Sequence, residues 1–145
     1  MIEAQIEQDL KAAMLARDTE KTSTLRGIKS VFLYAKVAAG TRDTAMPDDE
    51  AIKLLHKEAK KRDESAQLYK QGGNEERAEK ELSEKAIIDA YLPAKISEKD
   101  LEAIVDEVIA SNKEANMGQI ISEVKNKTAG SADGGDIARL VKGKL

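Results

Sequence analysis

Basic residues are concentrated towards the end of the chain. Between positions 125 and 145 the sequence holds five basic and two acidic side chains, a local charge of +3, although the whole chain carries −3. The basic residues are Lys125, Lys127, Arg139, Lys142 and Lys144. Such a cluster can neutralise the phosphates of a nucleic acid. Lysines near helix C-termini also complement the helix dipole, so the same residues fit a purely structural role.

Two glycines lie among these basic residues, in the segment 117–145 that we call the tail. Gly130 belongs to a break in the helical pattern, and Gly134 lies at the predicted start of the final helix. Backbone N–H groups exposed at such a helix start can hold an anion such as phosphate. Helix capping by Asp133 explains the same residues without any ligand. The tail has no aromatic side chain, so it offers no surface on which an unpaired base could stack.

The sequence predicts no catalytic residue, no metal site and no cofactor. His56 is the only histidine and cysteine is absent, so a zinc site is not expected. The sequence also makes no carboxylate relay evident for His56, of the kind that orients a general base. Ser131 resembles a nucleophile in a small-residue loop, but its motif contains neither a histidine nor a lysine to act as base.

The apolar residues recur with the period of an α-helix in seven segments, and no segment shows the alternation of a strand. We therefore predict an all-α protein. The predicted helices cover approximately residues 2–17, 19–40, 48–70, 75–91, 97–111, 117–127 and 134–145. Within them, Gly27 indicates either a close approach of two helices or simple tolerance of a glycine. Arg62 lies on an otherwise apolar line, so it must snorkel or pair with a glutamate across the bundle.

A domain boundary is predicted next to Pro93. The proline forces the residue before it out of the helical region, and Ser97 can cap a new helix. This gives a four-helix N-terminal region, residues 1–93, and a three-helix C-terminal domain, residues 94–145. The alternating charges of the fourth helix are typical of a face exposed to solvent.

The composition limits the classes of function. A net charge of −3 argues against a general nucleic-acid-binding protein and permits only a local basic face. No apolar run approaches the length of a membrane span, and the first residues lack the pattern of a signal peptide. Together with the absence of cysteine, these features predict a cytoplasmic protein with no membrane association.

Several short motifs occur in a characteristic order. The tail contains M-G-x-x-I at 117–121, G-x-A-D-G at 130–134 and V-K-x-x-L at 141–145, and upstream stretches include Leu25–Lys29, Lys57–Asp63 and Tyr91–Pro93. In this order the sequence resembles the GatB/YqeY family over nearly its whole length, most closely the free-standing YqeY-like proteins. In larger relatives the same tail closes the B subunit of the glutamine-dependent tRNA amidotransferase, where it is implicated in contacting tRNA.

The resemblance implies a non-catalytic, tRNA-binding or tRNA-associated accessory module. Its partner would be tRNA, or a protein of translation or tRNA charging. Glutamine hydrolysis and substrate activation lie outside the tail in the larger enzyme, so that chemistry does not transfer. The candidate nucleic-acid contacts are Lys125, Lys127, Gly130, Gly134, Arg139, Lys142 and Lys144. Relatives often carry a basic residue where this chain has Ser131. Two alternatives stay open: a protein-interaction adaptor using charged helices, and, more distantly, an amidase-like enzyme acting on carbon–nitrogen bonds.

Overall fold

The computed structural model describes all 145 residues, as seven α-helices and no strand. Helix accounts for 77% of the chain, and the all-α prediction is confirmed. The helices are α1 (Ile2–Leu15), α2 (Thr19–Ala39), α3 (Asp48–Gln71), α4 (Glu75–Asp89), α5 (Glu98–Ser111), α6 (Met117–Thr128) and α7 (Gly134–Lys144). None of them combines the length and the apolar content needed to span a bilayer.

The helix starts follow local capping signals in the sequence. The side chains of Asp18, Asn74 and Ser97 each accept a hydrogen bond from a backbone N–H in the first turn of the helix that follows. At the other end of α2, Gly40 takes a left-handed conformation with φ 73°. These caps satisfy backbone groups that have no partner within the helix, which is why the sequence locates the helix ends well.

Two helices end earlier than their apolar pattern predicts. Helix α1 stops at Leu15 rather than near Arg17, which adopts a left-handed conformation with φ 58°. Helix α4 stops at Asp89 rather than Tyr91. The hydroxyl of Tyr91 donates to a carboxylate oxygen of Asp9 at 2.5 Å, so this side chain packs against α1 from the turn after α4.

The chain divides into two compact units, Met1–Leu92 and Pro93–Leu145, which we call unit 1 and unit 2. Unit 1 contains α1 to α4 around a core of aliphatic side chains and one phenylalanine. Its largest fully buried side chains are Ile6, Leu25, Met46, Leu55 and Ile88. Gly27 lies on the exposed face of α2 with no atom within 4 Å of the position a Cβ would occupy. Of the two interpretations of Gly27, close helix approach is therefore wrong and simple tolerance holds.

Helices α3 and α4 form a long antiparallel hairpin within unit 1. Arg62 reaches across it to the carboxylates of Glu84, at 2.9 Å, and Glu81, at 3.5 Å, which confirms the predicted pairing. Both glutamates are largely buried, so the expectation that the charges of α4 all face solvent is wrong for these two. Further along, the hairpin is closed by Ala66 and Ala78, which are buried but lie outside the main core cluster.

Unit 2 is a three-helix arrangement with its own core. Helix α5 contributes Leu101, Val105 and Val108, and the hairpin of α6 and α7 contributes side chains such as Val124 and Ile137. The segment before α5 is fixed to the hairpin loop, because the N–H of Ile96 donates to the carbonyl of Ser131 at 2.8 Å. The short helices of the tail are too short to be stable alone, and α5 supplies the apolar surface on which they dock.

Candidate nucleic-acid interface in unit 2

The helical hairpin of the tail is defined by strong local signals at both ends of α6. Asn116 accepts from the N–H of Gln119 while the Gln119 side chain accepts from the N–H of Asn116, which makes a reciprocal capping box. Helix α6 ends where Ala129 and Gly130 both adopt left-handed conformations, with φ 47° and 86°. Glycine suits this position, because a left-handed residue just after a helix end carries no steric cost when it lacks a Cβ. Sequence reasoning missed the capping box, although Asn followed by Gln three residues later is its usual signal.

The side chain of Lys125 lies over the first turn of α7. Its Cε is 3.3 Å, and its Nζ 3.5 Å, from the position that a Cβ on Gly134 would occupy. Glycine at this position therefore lets the lysine approach the backbone closely. The structure thus brings Lys125 and Gly134 together, two of the residues that the sequence singled out. It places a positive charge at a helix N-terminus, where the backbone dipole is already positive.

Asp133 occupies the N-cap position of α7, but its carboxylate accepts no capping hydrogen bond. One carboxylate oxygen lies 3.2 Å from the position of a Cβ on Gly135, above the first helical turn. The expected side-chain cap is therefore absent, while the backbone carbonyl of Asp133 still accepts from the N–H of Ile137. The N–H groups of the first turn therefore donate no hydrogen bond to this side chain. The carboxylate still places a negative charge beside them.

Three of the five tail cations pair with acidic side chains of α5. Lys127 contacts Glu107 at 3.3 Å, Arg139 contacts Glu98 at 2.7 Å, and Lys144 lies 2.7 Å from Asp106 and 3.1 Å from Glu102. Hydrogen bonds to these carboxylates raise the pKa of Arg139 and the pKa of Lys144. The acidic residues of α5 thus offset most of the local positive charge. Sequence reasoning counted the tail alone and could not see that α5 faces it.

The other two tail cations, Lys125 and Lys142, form no ion pair. Both are exposed. Unit 2 as a whole has eight basic against nine acidic residues, a net charge of −1. Any nucleic-acid contact in this unit must therefore depend on where the unpaired cations lie and cannot rest on net charge.

A cleft of about 520 Å³ lies between the start of α5 and the start of α7. The Arg139–Glu98 ion pair belongs to its lining, together with Lys95 and Ser97, and Asp136 faces it from α7. Lys95 is exposed and unpaired, and no sequence pattern singles it out. Lys95 lines the cleft because the segment before α5 packs against the tail loop.

Ser131 and His56, the residues considered for catalysis, lie in different units of the chain. The hydroxyl of Ser131 donates to the carbonyl of Thr128 at 2.6 Å, which holds the loop closed after α6. Unit 2 contains no histidine, since His56 lies on α3 in unit 1. No group of three or more His, Cys, Asp or Glu side chains is arranged to hold a metal ion. The Ser131 hydroxyl therefore stabilises the loop, and no histidine of unit 2 is available to activate it.

The fold and the site define the class of protein. It is an all-helical protein in which a basic helical hairpin docks on an acidic helix. Residues 3–145 match the family model described as Yqey-like protein, so the chain belongs to that family. The family assignment made from the sequence motifs is therefore confirmed.

The chain is also similar to a curated protein from Clavispora lusitaniae, named altered inheritance of mitochondria protein 41, mitochondrial. The two are 30% identical over 129 residues, which cover 85% of this chain and 74% of the relative. That name concerns the inheritance of mitochondria and mentions neither a substrate nor a nucleic acid. The cytoplasmic location expected from the sequence stays a prediction.

Proposed function

We propose that this protein is a non-catalytic accessory module that binds tRNA through unit 2. The observation that carries the proposal is the position of Lys125, an unpaired cation whose side chain lies over the first turn of α7 at Gly134. The family supports it, because YqeY-like proteins resemble the tail of the tRNA amidotransferase B subunit. A phosphate placed there would receive the lysine charge together with backbone N–H groups at the positive end of a helix.

The ion pairs of the tail are compatible with this role. Arg139 and Glu98 are both more than half exposed, as are Glu107 and Asp106 on α5. Exposed pairs are weak because water and salt screen them, so a cation can exchange a carboxylate for a phosphate at low cost. In the unbound protein, the acids of α5 lie beside three of the five tail cations. On binding, Arg139, Lys127 and Lys144 would turn towards the RNA while Lys125 and Lys142 provide the first contacts.

Direct binding of labelled tRNA to the full-length chain, followed by fluorescence anisotropy, tests this function. Unlabelled tRNA should compete at a lower concentration than duplex DNA with the same number of phosphates, because a defined set of cations recognises shape as well as charge. Equal competition by the two polyanions would show a non-specific electrostatic interaction, and no change in anisotropy at low salt would contradict the proposal.

A protein-interaction adaptor is the second candidate, and one feature favours it. The far part of the α3–α4 hairpin lies outside the core of unit 1, and Leu68 there exposes 67% of its surface. A partner could cover this side chain together with the charged residues around it. Photo-crosslinking from position 68 in cells, with position 145 as the control, should then yield one defined adduct. If tRNA fails to bind and such an adduct forms at position 68 alone, the adaptor replaces the tRNA-binding module.

A further inference from the structure

A depression of about 570 Å³ lies in unit 1 between the end of α1 and the first turns of α2. Its lining consists of two arginines, three hydroxyl side chains and one methionine: Arg17, Arg26, Thr19, Thr22, Ser23 and Met14. No acidic residue lines it. In a chain with 27 acidic residues and a net charge of −3, a depression whose only charged groups are two guanidiniums is a specific local arrangement.

The spacing of these residues explains why they converge. Thr19, Thr22, Ser23 and Arg26 recur at i, i+3, i+4 and i+7, which places them on one face of α2. Arg17 joins them from the turn that links α1 to α2. Its left-handed backbone, φ 58°, is uncommon for a residue other than glycine, and its N–H donates to the carbonyl of Met14 at 3.2 Å.

The polar side chains of the depression are almost entirely without protein partners. The Arg17 side chain forms no hydrogen bond or ion pair, and Arg26 makes only a weak contact with the sulfur of Met14 at 3.9 Å. The three hydroxyl groups form no side-chain hydrogen bond. The nearby carboxylate of Asp18 accepts from the N–H of Lys21 and caps the helix. By contrast, Lys29 and Lys36, further along α2, each pair with a glutamate of α1.

The solvent-exposed side of α2 continues to an aromatic side chain. Ser30 and Tyr34 follow Arg26 at i+4 and i+8, so Tyr34 lies about 12 Å along the helix from the arginine, at 1.5 Å per residue. Tyr34 exposes 80% of its surface, and Leu33 and Val37 beside it are about half exposed. Gly27, with open space where a Cβ would be, leaves this path unobstructed.

We propose that the face of α2 from Arg17 and Arg26 to Tyr34 is a second RNA-contacting surface, on unit 1. A phosphodiester group would occupy the depression, where two guanidiniums and three hydroxyls can donate to its oxygens. An unpaired base of the same strand would stack on the ring of Tyr34. This inference rests on the proposed function for the identity of the partner. It also supplies what the tail lacks, since no aromatic side chain is present there.

Amide NMR spectra of the full-length chain, titrated with a short single-stranded RNA oligonucleotide carrying a 5′-phosphate, test the two surfaces separately. Shifts at Thr19 to Ser23 and at Tyr34 are the expected result for the α2 surface, whereas shifts at Lys125 and Gly134 report the tail. Shifts in the tail alone would overturn this inference and leave the proposed function standing. Shifts at α2 alone would support this inference. No shift at α2 would overturn it, whereas the anisotropy measurement with tRNA decides the proposed function independently.

Two variants define the contribution of each part. The double change Arg17→Gln and Arg26→Gln should flatten the salt dependence of oligonucleotide binding by roughly 0.7 in log–log slope for each phosphate that is no longer neutralised. Tyr34→Ala should weaken binding by roughly fivefold to a hundredfold. The matched control, Lys11→Gln with Lys21→Gln, removes two unpaired charges from α1 and α2 outside the depression and should have little effect. Equal weakening in the control and arginine variants would overturn the inference.

A dilution series without RNA completes the test, because an exposed apolar face can also bind a second copy of the chain. The α2 resonances should be independent of protein concentration. If the Leu33, Tyr34 and Val37 signals instead shift or broaden as the concentration rises, the face is a self-association surface and the RNA proposal is wrong.

Discussion

The guanidinium of Arg139 donates to the carboxylate of Glu98 at 2.7 Å and so joins the last helix of the tail to the first turn of α5. Both side chains are exposed, and both line the cleft at the start of α7. This is an ion pair that the proposed tRNA binding would have to break, because the Glu98 carboxylate and an RNA phosphate would compete for the same guanidinium.

The first prediction concerns this competition. Glu98→Gln removes the carboxylate that competes for Arg139, so tRNA should bind roughly two- to fivefold more tightly at low salt, and the difference should shrink as salt rises. Fluorescence anisotropy measures the change. Adding Arg139→Gln should abolish the gain, because the released cation is then missing. Unchanged or weaker binding of the single variant would show that Arg139 does not contact the RNA.

The second prediction concerns Tyr91 and pH. Burial, with the hydrogen bond to Asp9 and the charge of Asp9, raises the pKa of Tyr91 above its usual value of 10. Because the folded state favours the protonated hydroxyl, its stabilising contribution is complete below the unfolded pKa and decreases as the pH rises above 10. Tyr91→Phe should lower the free energy of unfolding by about 1 kcal/mol at neutral pH.

Urea unfolding of both proteins at neutral pH and on the alkaline side of pH 10 measures this difference. The stability advantage of the wild-type chain over Tyr91→Phe should shrink at alkaline pH. An advantage that stays constant across this range would mean that the Tyr91 hydroxyl titrates alike in the folded and unfolded states.

The third prediction concerns the α3–α4 hairpin. Arg62→Ala leaves the carboxylates of Glu81 and Glu84 without their counter-charge, and both are at least four-fifths buried. The free energy of unfolding should fall by about 1–3 kcal/mol. Lys61→Ala, which removes an exposed cation next to it, should cost no more than about 0.5 kcal/mol. Similar decreases in the two variants would show that the Arg62 pairs add nothing beyond an ordinary surface ion pair.

The sequence predicts interactions between residues that are close along the chain better than interactions between distant ones. Helix positions and caps follow from neighbouring residues, and the pairing of Arg62 followed from a charge on an apolar line. The pairing of Arg139 with Glu98 joins residues 41 positions apart, and no local pattern reveals it. The arginine depression depends on the left-handed turn at Arg17, a residue type that rarely adopts such a conformation. Asp133 has the right residue type for a cap, yet its side chain forms no capping hydrogen bond.

The fourth prediction concerns the joint between the two units. Lys95 is exposed in the segment between Pro93 and Ser97, outside any helix. Brief trypsin treatment should cut after Lys95 before it cuts within the helices, since proteases need a locally extended, accessible chain. Lys95→Gln should abolish that cut and leave cutting at Arg42, in the loop before α3, unchanged. If the joint stays intact while other loops are cut, the predicted boundary between residues 93 and 94 does not separate two domains.

The fifth prediction addresses the central claim, that the cations of the tail bind tRNA. Lys125, Lys127 and Lys142 are changed together to Gln, which preserves helix propensity, so the circular dichroism spectrum should not change. The control is Lys99→Gln with Lys113→Gln, which removes exposed, unpaired charges of the same unit that lie outside the tail segment 117–145. The binding constant for tRNA is then measured across a series of salt concentrations.

Each lysine that truly neutralises a phosphate should, when replaced, reduce the slope of the logarithm of the binding constant against the logarithm of salt by about one unit. The account therefore predicts weaker binding and a slope about two to three units smaller for the tail variant, with the control close to the wild type. Identical affinity and slope for all three proteins at every salt concentration would contradict the account, as would a wild-type chain that does not bind tRNA at all.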